Sequence, residues 1–327
     1  MFGLGSARPR HCLKIGAQTL AWAEYSRTWR GRSRYRCVVS PTPAGSVKLS
    51  PIDLNLADQT VLEERLRSLA GPAKRLEIAG RVVMPELPRR MTLLLPDLAV
   101  RTTVVVLDHL PPHKHEIEAL IRWKLGQEQR LPLAGSKLIW QVFPAFPSVQ
   151  SFHIVLVVAV QDSILAQYES LCESAGLLPQ EVGVTSCHAF NLWVKAAGGY
   201  KRLDRDLAWL TVMDGALTCF IFHNGRPVFV RTKLLAGDAH SAESADKVLR
   251  ETAASLVACQ EQHPHVQVKE AVLMTADDES LRLEQALGNE LGIVVDRLAW
   301  DHVAALGWRH DGGTTSMAAL PVVAAMV

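Results

Sequence analysis

Short apolar runs, each closed by glycine or proline, open the chain. His11–Gly16, Thr19–Ser26 and Arg34–Ser40 read as three successive strands joined near Gly16 and Gly31. Their lengths and β-branched or aromatic content suit strands better than helix turns. Pro41, Pro43 and Gly45 then break the chain. Asp58–Ala70 sets Val61, Leu62, Leu66 and Leu69 among charges, the spacing of an amphipathic helix that stops at Gly71–Pro72. Met91–Leu95 and Thr103–Leu107 read as strands, and His113–Gly126 as a helix whose stripe is Ile117, Leu120, Ile121 and Leu125. Lys137–Phe143 and Phe152–Val160 read as a strand pair. Ser163 is the expected N-cap of a helix with Ile164, Tyr168, Leu171, Cys172 and Ala175 on one face, closed by Gly176.

The second half repeats the opening plan. Leu207–Met213, Leu217–His223 and Val228–Lys233 are three more successive strands, the last two joined by Asn224–Gly225, a strong two-residue hairpin signal. A long helix over Glu243–Gln262 follows, then a strand at Lys269–Met274, a helix at Ser280–Leu291, a strand at Ile293–Asp296 and a helix at Trp300–Leu306. A three-stranded meander followed by helix and further strand therefore occurs twice. This pattern predicts an α/β fold of two similar lobes, as in actin-like (ribonuclease H-like) proteins, where the first hairpin of each lobe embraces phosphates. The expected division is residues 1–200 for the first lobe, with a small α/β subdomain inserted at about 110–182, and 201–327 for the second.

Composition narrows the function classes. The chain has 327 residues, 48% of them hydrophobic and 21% charged, enough for two cores and far from a disordered composition. A formal net charge of +2 supplies no global field for nucleic acid. No run approaches the roughly 20 apolar residues that span a bilayer; Ile154–Val160 and the tail Met317–Val327, broken by Pro321, are too short. The opening MFGLGSARPRH lacks the apolar core of a signal peptide. The expectation is a cytoplasmic protein held peripherally at the inner membrane. Six cysteines, at 12, 37, 172, 187, 219 and 259, form no C-x-x-C pair and read as buried hydrophobes, not zinc ligands.

The middle of the chain carries a more specific signal. LPDLAVRTTVVVLDHLP (Leu95–Pro111) runs into HEIEALIRWKLGQEQRLPL (His115–Leu133), followed by LIWQVF (Leu138–Phe143), by IVLVVAVQDSILAQYESLCESAGLLPQEV (Ile154–Val182) and by SCHAFNLW (Ser186–Trp193). This succession resembles the type IV pilus assembly protein PilM family, which shares its actin-like fold with FtsA and with the cytoplasmic part of GspL. The resemblance implies a cytoplasmic scaffold that grips the short cytoplasmic tail of a PilN-like membrane partner. It leaves open a contact with a secretion or pilus motor ATPase, a role in a related secretion machine, and a homo-oligomer. It also implies that the tail lies between the first lobe's core and the inserted subdomain. Arg122 and Trp123 are the partner-binding candidates on that reading, because Trp and Arg dominate interface hot spots. The bland reading of Trp123 is packing between subdomain and lobe.

An actin-like ATPase needs an acid, a spacer and a glycine after the first strand of each lobe, so that carboxylates position magnesium and backbone N–H groups approach phosphate. The first-lobe match is Lys14, Ile15 and Gly16, followed by Ala17 and Gln18, so a lysine replaces the acid. In the second lobe it is Met213, Asp214 and Gly215, with the only carboxylate shifted by one. Strand alternation would turn that side chain to the other face, so Asp214 is expected to be a turn residue. A third loop at Met274, Thr275 and Ala276 lacks its glycines. These departures predict degenerate phosphate loops, no catalytic residues, no metal and no resident cofactor. ATP with magnesium on an active actin-like ATPase is the alternative.

Arg27, Arg30, Arg32, Arg34 and Arg36, with Trp29 and Tyr35 between them, are the strongest local charge. A solvated hairpin tip and edge strand explains them, and contact with anionic lipid is compatible with it. His109, His113 and His115, and His263 and His265, fall in turns without helical ligand spacing and read as surface groups. Cys187–His188 is not a nucleophile pair, since adjacent helix residues point apart.

Overall fold

The structure is a computed structural model. It describes residues 9–72, 76–78, 81–84, 88–129, 133–143, 152–196, 203–235, 242–276 and 280–327.

In chain order the first half contains β1 (His11–Ile15), β2 (Thr19–Arg27), β3 (Ser33–Pro41), α1 (Gln59–Ala70), β4 (Leu76–Ile78), β5 (Arg81–Met84), β6 (Arg89–Leu95) and β7 (Arg101–Leu107). It continues through α2 (Lys114–Gln129), β8 (Ser136–Phe143), β9 (His153–Gln161), α3 (Asp162–Ser174), β10 (Leu177–Val184) and α4 (Thr185–Lys195). The second half contains β11 (Leu207–Met213), β12 (Ala216–His223), β13 (Arg226–Leu234), α5 (Ala242–Gln262), β14 (Glu270–Thr275), α6 (Ser280–Leu291) and β15 (Val294–Arg297). The chain ends in α7 (Trp300–Ala305), β16 (Arg309–Gly313) and α8 (Leu320–Ala324).

The duplicated plan is real at the level of sheet order. The first sheet runs β10-β6-β1-β2-β3-β16 and the second β13-β12-β11-β14-β15. In each, an antiparallel meander is extended on its first strand by two parallel strands: β6 and β10 beside β1, β14 and β15 beside β11. The Asn224–Gly225 hairpin forms as expected, with both residues at positive φ (47° and 75°), the pair of values a type I′ turn requires.

The predicted boundaries shift in three places. The inserted subdomain runs from β7 through β9, an antiparallel sheet of order β7-β9-β8 covered by α2. The expected span of 110–182 omitted β7 and took in α3 and β10, which belong to the first lobe: α3 packs beneath the first sheet and β10 pairs with β6. Residues 309–327 do not stay with the second lobe either. Strand β16 pairs with β3, Gly313 lies against the Cys37 backbone where a Cβ would come within 1.8 Å of its carbonyl oxygen, and α8 packs on α4, β1 and β2. The apolar tail is buried core: Leu320, Val322 and Val323 are fully buried. Finally, Gln161 and not Ser163 occupies the N-cap of α3, without a side-chain bond.

One apolar cluster joins the two lobes. It unites Cys12, Ala21 and Ala23 of the first sheet, Leu192 and Trp193 of α4, Trp209, Phe220 and Phe222 of the second sheet, and α8. Phe190 stacks on Phe222 at 4.6 Å between ring centroids. At roughly 1.5–3 kcal/mol per buried large side chain, this seam opposes any opening that would wet it. Strand alternation fixes what faces it: Leu13 and Ile15 point to the helices α1 and α3, so Cys12 and Lys14 point toward the seam.

Candidate functional site

The two turns that the sequence compares with phosphate loops meet at one end of this seam. The β1–β2 turn (residues 16–18) and the β11–β12 turn (Asp214–Gly215) face each other, and the Lys14 ammonium donates to Asp214 Oδ2 at 2.7 Å. Lys14 is fully buried and Asp214 only 4% exposed. Lys14 also donates to Thr19 Oγ1 at 3.1 Å, and the Gln18 backbone N–H donates to Asp214 Oδ1 at 3.2 Å. The carboxylate thus holds a cation and an amide of the opposite lobe.

This corrects the expectation for Asp214. It is a turn residue, with φ 52°, but it does not face away. Alternation governs only residues inside the strand, and β11 ends at Met213, whose side chain lies in the core. The left-handed backbone then swings the Asp214 carboxylate into the interlobe space. Gly215 follows at φ 73° and completes the two-residue turn. Gly16 is needed for a different reason: a Cβ there would lie 2.0 Å from Asp214 Oδ1. The space that Gly16 leaves open admits the Asp214 carboxylate of the opposite lobe. The Gly16 carbonyl accepts from Thr42 Oγ1 at 2.8 Å, pinning the turn.

A second buried acid, which sequence reasoning passed over, sits beside the pair. Asp97 follows β6 and accepts from the Ser186 backbone N–H and hydroxyl at the first turn of α4. Burial pushes its carboxyl up to about 6 against the help of those bonds, with Asp214 raising it further and Lys14 lowering it. The signal in sequence was the Pro96-Asp97 step closing a buried strand. Lys14 and Asp214 thus form a buried pair across the lobes, and Asp97 with Ser186 a second buried polar pair whose carboxyl feels both of those charges. In the third loop, Met274 is fully buried and Ala276 packs against the seam.

The other candidates separate. Arg122 is pinned: it pairs with Glu118 at 2.8 Å and donates to the carbonyls of Leu133 (3.0 Å) and Ser136 (2.8 Å), clamping α2 to the start of β8. Trp123, the next residue on α2, is 63% exposed, so it is not buried between subdomain and lobe. A shallow hollow lies where the loop before α1 meets the subdomain, lined by Pro51, Ile52, Arg101, Leu133, Ser136, Ala159 and Gln161. Of these, Ile52 is 53% exposed, and Leu54, two residues further along the loop, is 61% exposed. Arg122 shapes that hollow by holding two of its walls, and Trp123 is not among its lining residues. His188 lies against Gly183, where an added Cβ would meet its Nε2 at 2.1 Å, while burial raises the Cys187 thiol to about 12. Among the described residues no group of three or more His, Cys, Asp or Glu could hold a metal ion. No helix among them is long and apolar enough to cross a membrane.

No protein-family model and no curated protein sequence matches this chain. Solved structures do. A chain of a PilM–PilN type IV pilus biogenesis complex superposes with a TM-score of 0.71 at 20% identity, over 98% of this chain and 100% of that one. A Bacteroides thetaiotaomicron protein with an actin-like ATPase fold and unknown function gives 0.51 at 10% identity, over 91% and 96%. The fold is actin-like. The architecture implied by the sequence resemblance is the one the chain adopts, full length against full length. Within that actin-like frame, the ion pair occupies the space between the two turns that would embrace phosphates.

Proposed function

We propose that this actin-like protein is a non-catalytic cytoplasmic scaffold of a type IV pilus or related secretion platform at the inner membrane. The observation that carries the non-catalytic half is the Lys14–Asp214 pair. ATP hydrolysis on such a cleft requires a magnesium ion near the phosphates and an oriented water, both arranged by carboxylates. Here one acid is a lysine, and the other neutralises it. A phosphate entering between the turns would have to displace Asp214 from Lys14 and from the Gln18 amide, while the apolar seam holds the lobes together.

The partner half rests on the similarity to the PilM–PilN complex and on the hollow beside Ile52. A short tail would lie across the mouth of this shallow hollow, covering exposed Ile52, with Arg101 at the rim for a carboxylate or carbonyl. We assign this hollow, and not the Trp123 face, as the seat of a PilN-like cytoplasmic tail. Titrating a fluorescent peptide of such a tail into the purified chain tests it. Saturable binding that Ile52→Asp abolishes and Trp123→Ala leaves intact supports the assignment. The converse result moves the tail to α2. Binding of ATP with magnesium favours the alternative, an actin-like ATPase.

A further inference from the structure

The β2–β3 hairpin leaves the first sheet as a tip whose chemistry none of the interlobe arrangement uses. Trp29 at its apex is 89% exposed, the most exposed large hydrophobic side chain among the described residues. The segment Ser26–Arg36 holds five arginines and no acid, in a chain whose formal net charge is only +2. All five arginines are exposed. Arg34 pairs with Asp311 on β16. Among the described residues no carboxylate forms an ion pair with Arg27, Arg30, Arg32 or Arg36.

The tip is built, not loose. Thr28 N donates to Arg32 O (2.9 Å), Gly31 N to Thr28 O (2.8 Å), Arg32 N to Thr28 Oγ1 (3.0 Å) and Arg27 Nε to Gly31 O (3.0 Å). Gly31 at φ 77° closes the turn. The Arg30 guanidinium sits 4.6 Å from the centre of the Trp29 ring. Four hydrogen bonds therefore hold one indole outward inside a collar of cations.

We propose that this hairpin tip docks on the anionic headgroups of a membrane. A convex tip with one aromatic apex touches a plane rather than a groove. Tryptophan settles at the headgroup level, where its ring is half in apolar and half in polar surroundings. Unpaired arginines around it gain from the negative surface potential, and their stems cover apolar surface while the heads stay with phosphate. Nucleic acid is disfavoured by the geometry: there is no concave basic track and no second exposed aromatic on the hairpin for successive bases to stack on. The proposal stands on the hairpin's own residues and gives the scaffold a membrane-facing side. It neither needs nor supports the tail-binding hollow.

The test is co-sedimentation of the full chain with vesicles of phosphatidylcholine, with and without about 30% phosphatidylglycerol. At roughly 0.1 M salt, binding to the anionic vesicles should exceed binding to neutral ones by about tenfold or more, and fall to the neutral level near 0.5 M salt. Arg30→Ala/Arg32→Ala/Arg36→Ala, which leaves the Arg27–Gly31 bond of the tip in place, should lose that excess, and Trp29→Ala should lose a smaller part of it together with a vesicle-induced blue shift in fluorescence. These side chains are exposed, so the melting temperature and tail-peptide capture without vesicles stay at wild-type values; failure of one reading is thus distinguishable from failure of the other. Equal binding to neutral and anionic vesicles, no effect of the triple variant, or tighter hairpin-dependent binding to single-stranded oligonucleotides than to vesicles would each overturn the proposal.

Discussion

Removing either half of the buried interlobe pair should destabilise the protein far more than removing both. At 2.7 Å and an effective dielectric of about 20, the raw attraction is ~6 kcal/mol, opposed by several kcal/mol of desolvation for each ion. The net worth of the pair is therefore small, but a lone survivor keeps its desolvation cost. Lys14→Met strands the Asp214 carboxylate with one backbone amide as its remaining donor. Asp214→Asn strands a fully buried ammonium with only Thr19. Each single variant should lose about 3–5 kcal/mol, and Lys14→Met/Asp214→Asn should fall within about 2 kcal/mol of wild type. Asn is chosen because it tolerates the left-handed backbone and can still accept from Gln18 N. Equilibrium urea unfolding, followed by fluorescence of Trp193 and Trp209 at the seam, reads all three. Single losses below about 1 kcal/mol that simply add in the double variant would refute a closed, charge-paired cleft.

Three other outcomes follow from the same geometry. Gly16→Ala drives a methyl into the Asp214 carboxylate and should cost about 2–3 kcal/mol; combining it with Asp214→Gly should cost less than the two losses summed, whereas strict additivity would place the clash elsewhere. Asp97 has its folded pKa raised to about 6 from 3.8, so the folded state binds the extra proton between those values and stability falls as pH rises through that window. Asp97→Asn should therefore gain up to ~3 kcal/mol at pH 8 and nothing at pH 3.5, and equal destabilisation at both pH values in urea melts would contradict it. Ile52→Asp should weaken tail-peptide capture by roughly tenfold or more, while Trp123→Ala leaves it unchanged in fluorescence polarisation.

Much of the frame was legible because local signals agreed with it. The Asn224–Gly225 turn, the apolar stripe of Ile121 and Leu125, and the paired meanders each needed only a few neighbouring residues to be read. The ends of the chain were harder. Gly312 and Gly313 disguised β16, since its polar Arg309–Asp311 start shows no apolar alternation and its end, pressed against the Cys37 backbone, carries no side chain. Tail residues 317–327, too short to span a membrane, gave no sign of where they pack, because a helix buried on all sides is apolar on all sides. In β10, Pro179 and Gly183 masked a strand that tolerates them as the sheet edge, with a bulge between Pro179 and Glu181.

The site was half legible. Lys14 and Asp214 were each visible as departures from an acidic loop, but 200 residues separate them, and neither departure alone says that they meet. The usable signal was their pairing: opposite charges one position apart in alignment, at the ends of the first strands of a duplicated hairpin, where the two lobes face each other. Asp97 left almost no trace, because its significance comes from burial beside that pair. Arg122 was read as a partner contact since charge on a helix looks free until the carbonyls of Leu133 and Ser136 are placed against it.

The central claim is that the interlobe cleft is closed by its own ion pair and has no use for nucleotide. Isothermal titration of ATP with magnesium into the purified full chain, repeated without magnesium, tests it most directly. The account predicts no binding heat up to millimolar ATP in either case, and no phosphate release on prolonged incubation. Micromolar, magnesium-dependent binding to the wild-type chain would contradict it, because the metal would then have to find a carboxylate where Lys14 already holds Asp214.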